Sequence, residues 1–196
     1  MFSRAPVAGR VKTRLVPRLG ESGAARLHLR LTRAALRTAR AARCGPVELH
    51  ASARHSHFRA ARVQRGADLG ERMYRALSDA LRRHRGAIVI GTDCPALCPA
   101  DLQHAARLLA GGCDVVLAPA EDGGYVLIGA RRISPLWFAG VPWGTPEVYR
   151  ATLERLSSSG CRWRVLRRLW DVDRPEDLDR LRSLRFSSTL RRPARR

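Results

Sequence analysis

The clearest chemical signal in the sequence is a carboxylate at the end of an apolar segment. Asp93 closely follows the apolar run 87–90, which has the length and composition of a buried strand. In open α/β sheets, ligands bind outside the carboxyl ends of the strands. A carboxylate there could hold Mg²⁺, which prefers one or two carboxylates together with phosphate oxygens of a substrate. The alternative, that Asp93 only begins the turn at Pro95, stays open.

A second carboxylate comes from the segment 171–178. Asp173 could cap the helix predicted to follow, and that role alone would explain it. Together with Asp93, however, it would supply the pair of carboxylates needed by a metal ion that bridges a diphosphate. We therefore predict a Mg²⁺ or Mn²⁺ site formed by Asp93 and Asp173.

The N-terminal segment 3–15 has the composition of a phosphate-binding loop. It combines Gly and Pro with cationic side chains near a helix start, where backbone N–H groups also attract phosphate. It is not a Walker A loop, because Gly-x-x-x-x-Gly-Lys is absent. Lys12 is the only lysine among the 37 Lys and Arg residues, which indicates a position that needs a compact ammonium. The predicted phosphate-binding residues of this loop are Gly9, Lys12, Thr13 and Arg14.

A third polar segment, 121–125, pairs two acidic residues with two glycines between predicted strands. A plain hairpin would need only Asp-Gly. The additional glycine and the following tyrosine fit a loop that lets a sugar or base approach the backbone, although a structural turn explains them about equally well. We assign nucleotide binding here to Gly123, Gly124 and Tyr125.

Alternating helical and extended patterns predict the elements that position these segments. Helices are expected at about 21–43, 72–83, 99–111, 147–160 and after 176, and strands at 47–52, 87–90, 114–119, 125–129 and 162–170. This alternation favours an α/β fold with a doubly wound, mostly parallel sheet.

Length and composition indicate a single domain over 1–185 and a disordered basic tail over 186–196. No apolar run approaches the roughly 18–20 residues of a membrane span, and the start lacks the apolar core of a signal peptide. These features predict a cytoplasmic protein. The five cysteines contain no Cys-x-x-Cys pair, which argues against a disulfide framework or a zinc site.

The net charge of +20 raises the possibility of a polyanionic partner. Five arginines with 4, 3, 4, 3 spacing share one face of the first predicted helix: Arg26, Arg30, Arg33, Arg37 and Arg40. Such a face could meet nucleic acid or anionic lipid. We favour the solvated side of an amphipathic helix and expect no nucleic-acid partner, because exposed charged faces are the ordinary case.

Six motifs, in order along the chain, resemble a bacterial family of GT-A-like nucleotide-diphospho-sugar transferases. That family is often labelled a domain of unknown function, and some members are named arsenosugar-biosynthesis glycosyltransferases. The motifs are APVAGRVKTRL (5–15), ADLGERM (67–73), GTDCPAL (91–97), EDGGY (121–125), WGTPE (143–147) and DVDRPEDL (171–178). The resemblance covers about residues 2–182. It implies a full apolar strand before the first motif, where this chain has only Met1 and Phe2, so we expect the fold to lack most of its first strand. The resemblance also implies a nucleotide-sugar site in which Lys12 and Arg14 face phosphates while Asp93 and Asp173 hold Mg²⁺ or Mn²⁺.

The leading hypothesis is therefore a metal-dependent glycosyltransferase with a nucleotide-sugar donor and an unidentified small-molecule acceptor. Lys12 would act catalytically on the departing diphosphate, and Asp122 would position or deprotonate the acceptor. Nucleotidyl transfer on the same fold stays open, because the sequence Asp93-Cys94-Pro95 differs from the Asp-x-Asp of many glycosyltransferases. A second alternative is a non-catalytic binder of nucleic acid or anionic membrane that uses the arginine face.

Overall fold

The computed structural model describes the backbone of residues 1–190 and the side chains of residues 1–183. The helices are α1 (Val16–Ala42), α2 (Leu69–Leu81), α3 (Pro99–Ala110), α4 (Val148–Ser158) and α5 (Asp177–Leu190). The strands are β1 (Phe2–Ser3), β2 (His50–Ala51), β3 (Arg62–Val63), β4 (Ala87–Ile90), β5 (Val115–Pro119), β6 (Tyr125–Ala130) and β7 (Trp163–Val165). The predicted helices and strands are thus confirmed in their order, and the structure adds the short strand β3, which the sequence did not predict.

Two predicted strands are shorter than expected. The pattern at 47–52 predicts six extended residues, but β2 contains only His50–Ala51. The neighbouring strand β1 provides only two residues with which β2 can pair. The predicted strand 162–170 ends at Val165, and a single parallel bridge between Leu169 and Ala120 follows. At the other end of the chain, the backbone of 186–190 continues α5, while the rest of the expected tail, 191–196, lies outside the described residues.

Helix starts are encoded locally. Asp68 accepts a hydrogen bond from the Glu71 backbone N–H at 2.8 Å, and the Glu71 carboxylate accepts one from Ala67 N–H at 2.7 Å. This reciprocal arrangement satisfies backbone donors that have no partner inside α2. The Asp68-x-x-Glu71 spacing is typical of a capping box, although the Glu71 carboxylate accepts from Ala67, one residue before the N-cap Asp68.

The strands form two sheets, and each sheet contains at least one parallel pair of strands. One has the order β1-β2-β3, parallel throughout, and the other has the order β4-β6-β5-β7, in which β6 runs antiparallel to β4 and β5. Strand β6 reverses direction because a short loop joins it to β5, and a parallel pair would need a longer crossover. A mostly parallel α/β sheet is therefore confirmed.

The core lies on both faces of β5 and β6. On one face, Val116 and Leu127 pack with residues of α1 and α3. On the other face, Leu117 and Ile128 pack with residues of α2 and α4. Neighbouring residues of each strand face opposite layers because side chains alternate along a strand. The apolar runs of β5 and β6 thus account for the doubly wound arrangement.

A cavity of about 790 Å³ lies beside β4, between this strand and the two-residue strand β1. Met1, Phe2 and Ala106 are among the residues that line it. Within the described backbone, β1 and β4 are not hydrogen-bonded to each other. The two sheets therefore face each other across this cavity. Strand β1 contains only Phe2 and Ser3, and the cavity lies between this strand and β4.

Filling the cavity should stabilise the protein. Ala106→Leu adds apolar volume where space exists, and we expect the free energy of unfolding to rise by about 0.5–1 kcal/mol. The matched control is Ala105→Leu on the neighbouring position of α3. Ala105 is fully buried in packed core, and overpacking there should cost about 1–3 kcal/mol. Urea denaturation measures both, and equal destabilisation by the two variants would contradict the cavity.

The loop between β5 and β6 packs tightly on the segment that precedes α4. Gly123 has a φ of 89°, and a Cβ atom there would overlap the backbone of Pro146. The Gly123 carbonyl accepts a hydrogen bond from Tyr149 N–H at 2.9 Å. Glycine is therefore required at this position both by conformation and by space.

Gly123→Ala should lower the free energy of unfolding by about 3 kcal/mol, because it combines left-handed strain with a backbone overlap. Gly144→Ala separates the two effects. Gly144 has a φ of 86°, but no described atom lies within 4 Å of the added Cβ, so only about 1 kcal/mol is expected. Similar losses for both variants in chemical denaturation would show that the overlap with Pro146 is relieved at little cost.

Candidate functional site

Lys12 and Asp93 form an ion pair beyond the carboxyl end of β4. Lys12 Nζ lies 2.8 Å from Asp93 Oδ2 and also donates a hydrogen bond to the carbonyl oxygen of Val172. Val172 N–H in turn donates to the Asp93 carbonyl oxygen at 2.8 Å. Only 4% of the Lys12 side chain is exposed, against 38% for Asp93. Three segments far apart in sequence thus meet at one buried ammonium.

The backbone at Lys12 is in an unusual conformation. Its φ of 51° places a non-glycine residue in the left-handed region, just before the short helical turn Thr13–Leu15. This conformation costs about 1–2 kcal/mol, and it persists only where the surroundings hold it. The two contacts of the ammonium, with Asp93 and Val172, are the contacts that can hold it here.

His28 faces Asp93 from the buried side of α1. Its Nε2 lies 3.0 Å from the carbonyl oxygen of Arg4 and 3.1 Å from Ser3 Oγ, and its Nδ1 lies 3.6 Å from Asp93 Oδ1. A carbonyl oxygen can only accept, so Nε2 carries a hydrogen. Neither His28 Nδ1 nor Asp93 Oδ1 has a hydrogen-bond partner among the described residues. The sequence analysis missed His28, although its position on the apolar face of a predicted helix was the available signal.

Asp93 is strongly held in its ionised form. Desolvation raises the pKa of this carboxyl group, but the Lys12 ammonium and the neighbouring His28 outweigh it and lower the pKa to about 2. The partial exposure of Asp93 lets water weaken both effects. A fixed negative charge is therefore present here at every ordinary pH.

Arg14 and Asp173 form a second ion pair at the solvent-exposed edge of the first. The Arg14 guanidinium donates to Asp173 Oδ2, and the two side chains are 64% and 36% exposed. Asp173 does not cap α5, because Asp177 Oδ2 accepts the N–H groups of Asp173 and Arg174 instead. Each predicted phosphate-binding cation is thus paired with a predicted metal-binding carboxylate.

Two further carboxylates surround these pairs. Burial raises the pKa of Asp171 to about 6, and the charges of Asp122, Asp93 and Asp173 add to the effect while Lys12 opposes it. Asp171 has no hydrogen bond or ion pair through its side chain within the described part of the chain. Sequence reasoning assigned no role to Asp171, although the Asp-x-Asp spacing was visible.

The other predicted residues make local contacts of their own. Asp122 is exposed, and its Oδ1 accepts a hydrogen bond from Gly124 N–H at 2.9 Å. Gly9 packs against the Glu21 carboxylate in the N-terminal loop. The Tyr125 ring lies edge-on to Trp143 at 6.4 Å, and its hydroxyl is buried without a hydrogen-bond partner in residues 1–183. A direct contact of Gly9, Thr13 or Tyr125 with a nucleotide stays a prediction.

The donor chemistry fits a hard divalent cation. No group of three His, Cys, Asp or Glu side chains in the described residues is arranged to hold a metal ion. Mg²⁺ does not require such a group, since one or two carboxylates suffice when phosphate oxygens complete the coordination. The unpartnered Asp93 Oδ1 and the uncompensated Asp171 are oxygen donors suited to Mg²⁺ or Mn²⁺.

The arginine face of α1 is solvent-exposed, as the amphipathic pattern predicts. All five arginines of this face are exposed, while Ala24, Leu31 and Ala35 on the opposite side of the helix are buried.

Within the described residues, no helix combines the length and apolarity needed to cross a membrane.

Comparisons with known proteins agree with this architecture. The family described as "Uncharacterized protein conserved in bacteria (DUF2064)" matches residues 18–145. A candidate nucleotide-diphospho-sugar transferase from Desulfovibrio desulfuricans G20 has a solved structure with a TM-score of 0.85 and 30% identity, covering 98% of this chain and 89% of that chain. A comparison with the curated proteins finds no match.

Two less similar solved structures also match, and of these the first shares the fold. CMP:2-keto-3-deoxy-manno-octonic acid synthetase complexed with CTP gives a TM-score of 0.57 at 14% identity, covering 95% of this chain and 97% of that chain. A manganese complex of Rv0371c from Mycobacterium tuberculosis H37Rv gives 0.49 at 18% identity, covering 92% and 95%. The chain therefore belongs to the bacterial DUF2064 family, and it has the fold shared by nucleotide-diphospho-sugar transferases and nucleotidyltransferases.

Proposed function

We propose that this protein is a metal-dependent glycosyltransferase that uses a nucleotide-diphosphate sugar as its donor. The observation that carries the proposal is the pairing of Lys12 with Asp93 and of Arg14 with Asp173 beside the carboxyl end of β4. Cations that suit a diphosphate and carboxylates that suit a divalent metal lie next to each other there. Ligands of α/β sheets bind in this position.

Lys12 and Arg14 would stabilise the negative charge that develops on the departing diphosphate. The Lys12 ammonium is shielded from water, so its interaction with a phosphate oxygen would be stronger than in bulk solvent. Its hydrogen bond to the carbonyl oxygen of Val172 fixes its position before the reaction, which reduces the reorganisation cost. Arg14, at the exposed edge, can offer a planar pair of N–H donors to a second phosphate.

Asp93 and Asp173 would hold Mg²⁺ or Mn²⁺, which supplies further electrostatic stabilisation of the diphosphate when bound. Asp171 contributes negative charge next to both of them. Its side chain has no ion pair among the described residues and is free to contact a cation that enters the site, so Asp171 joins the two predicted residues as a candidate ligand.

Asp122 would position or deprotonate the hydroxyl group of the acceptor. The Gly124 N–H fixes one of its carboxylate oxygens and leaves the other available to accept a hydrogen bond. Asp122 is exposed, so an acceptor can reach it from solvent. It lies close enough to Asp171 to raise the pKa of that carboxyl group, which sets it at the edge of the charged centre.

Nucleotidyl transfer is the alternative, and it would use the same charges. The leaving group would then be pyrophosphate from a nucleoside triphosphate, with a sugar phosphate as the attacking group. The Asp93-Cys94-Pro95 sequence supports this alternative, because it supplies one carboxylate where many glycosyltransferases have two. Fold alone cannot separate the two reactions.

Nucleotide binding should stabilise the protein against heat only when metal is present. UDP, GDP and CDP are each tested with Mn²⁺ or with EDTA by thermal unfolding. A ligand at a hundred times its dissociation constant contributes about 2.7 kcal/mol, which corresponds to a shift of roughly 5–10 °C in a chain of this size. Asp93→Asn should abolish the metal-dependent part of the shift.

The control for that experiment is Asp79→Asn, which removes an exposed carboxylate paired with Arg82 on α2. It should leave the shift unchanged. A cooperative transition that no nucleotide moves, with or without Mn²⁺, would refute the proposal and favour the alternative of a binder that acts through the arginine face.

The leaving group distinguishes the two transfer reactions. With Mn²⁺ and a panel of nucleotide sugars, glycosyl transfer should release nucleoside diphosphate, and Lys12→Met should lower kcat by about 10²–10³-fold. Arg82→Gln, from the same exposed control pair on α2, should leave kcat unchanged. Release of pyrophosphate from nucleoside triphosphate and a sugar phosphate, without diphosphate release from any sugar donor, would instead establish nucleotidyl transfer.

A further inference from the structure

The two cations assigned to the diphosphate and the two carboxylates first assigned to the metal already have partners of opposite charge inside the protein. Lys12 Nζ is 2.8 Å from Asp93 Oδ2, and Arg14 is paired with Asp173. The two cations are assigned to the diphosphate and the two carboxylates to the metal. In the structure, these cations and carboxylates neutralise each other. Binding must replace at least one of these pairs.

We propose that metal and diphosphate bind by exchanging partners with the two ion pairs, so that each ligand alone binds weakly and the two bind with positive coupling. The carboxylates pass from Lys12 and Arg14 to the metal ion, and the two cations pass to the diphosphate. This inference rests on the proposed function and adds to it the way in which the site selects the metal–diphosphate complex.

Burial of Lys12 makes the exchange necessary. With 4% of its side chain exposed, Lys12 is covered by its partners, and a phosphate oxygen can reach Nζ only when Asp93 moves aside. Asp93 is the partner that can move, because 38% of its side chain is exposed and it lies on a turn that follows β4. Val172 contacts Nζ through a main-chain carbonyl and is less free to leave.

The same burial explains the coupling. A metal ion that draws Asp93 away without a diphosphate leaves a buried ammonium without its counter-charge, which is strongly unfavourable. A diphosphate that arrives without metal meets the negative charge of Asp93 beside the ammonium, and Asp171 and Asp173 add negative charge nearby. When both arrive together, every charge in the site regains a partner. Coupling of this kind is reciprocal, so each ligand raises the affinity for the other by the same factor.

The Arg14–Asp173 pair allows a test that does not endanger the fold. Both of its side chains are substantially exposed, so single substitutions there leave no buried charge unpaired. Lys12→Met and Asp93→Asn test the buried pair in the same way, provided that they fold. The exposed Arg82–Asp79 pair on α2 is the matched control.

The experiment measures binding of Mn²⁺ alone and of pyrophosphate alone, the latter in EDTA, by titration calorimetry. Removing a cation should tighten Mn²⁺ binding, by about threefold in Arg14→Gln and about tenfold in Lys12→Met. Removing a carboxylate should tighten the binding of metal-free pyrophosphate by similar factors, in Asp173→Asn and Asp93→Asn respectively. Arg82→Gln and Asp79→Asn should change neither affinity.

The crossed pattern of gains is the signature of exchange. If the folded variants of both pairs bind Mn²⁺ and pyrophosphate no more tightly than the wild type, the ion pairs are permanent and the exchange is refuted. Strong metal-dependent nucleotide binding by the wild type in that case would leave the proposed function intact. A wild type that binds neither ligand, alone or together, would remove the proposed function and the exchange with it.

Discussion

The Lys12 ammonium is buried, and a buried charge must be compensated where it lies because water cannot reach it. Asp93 supplies the opposite charge and Val172 supplies a carbonyl oxygen. These contacts bring the N-terminal loop, the turn after β4 and the segment before α5 to a single point. The left-handed conformation of Lys12 is held by the same contacts. Much of the candidate site is thus organised by the need to neutralise one side chain.

Apolar packing provides the rigid support for that charged centre. Strands β5 and β6 are almost entirely buried, and α1 and α3 cover one face while α2 and α4 cover the other. The loop between them, which carries Asp122, is locked against the segment before α4 by the close approach of Gly123 to Pro146. The charged groups lie outside the ends of strands and in loops, where packing does not demand apolar side chains. This division lets the same fold serve different transfer reactions.

The cavity beside β4 is the weakest part of this support. Within the described backbone the two sheets are not hydrogen-bonded to each other there, and a cavity of about 790 Å³ lies between β1 and β4. Phe2 and Met1 nevertheless reach core clusters on opposite faces of the sheet, since neighbouring residues of a strand point to opposite sides. The N-terminal loop that carries Lys12 is therefore anchored by a two-residue strand, and its ion pair with Asp93 contributes to holding it in place.

The sequence by itself determined the elements, the fold class and the family. The apolar run at β4, the capping box at Asp68 and the six ordered motifs are local signals, because helix starts, buried strands and tight turns depend on neighbouring residues. It also selected Lys12, Arg14, Asp93 and Asp173 by residue type and place. Tertiary structure alone decided how these charges are combined. It paired each cation with a carboxylate, and it brought His28 and Asp171 next to Asp93. Contacts between residues 65 to 160 positions apart depend on how the helices and strands pack in three dimensions, and no local pattern in the chain encodes that distance.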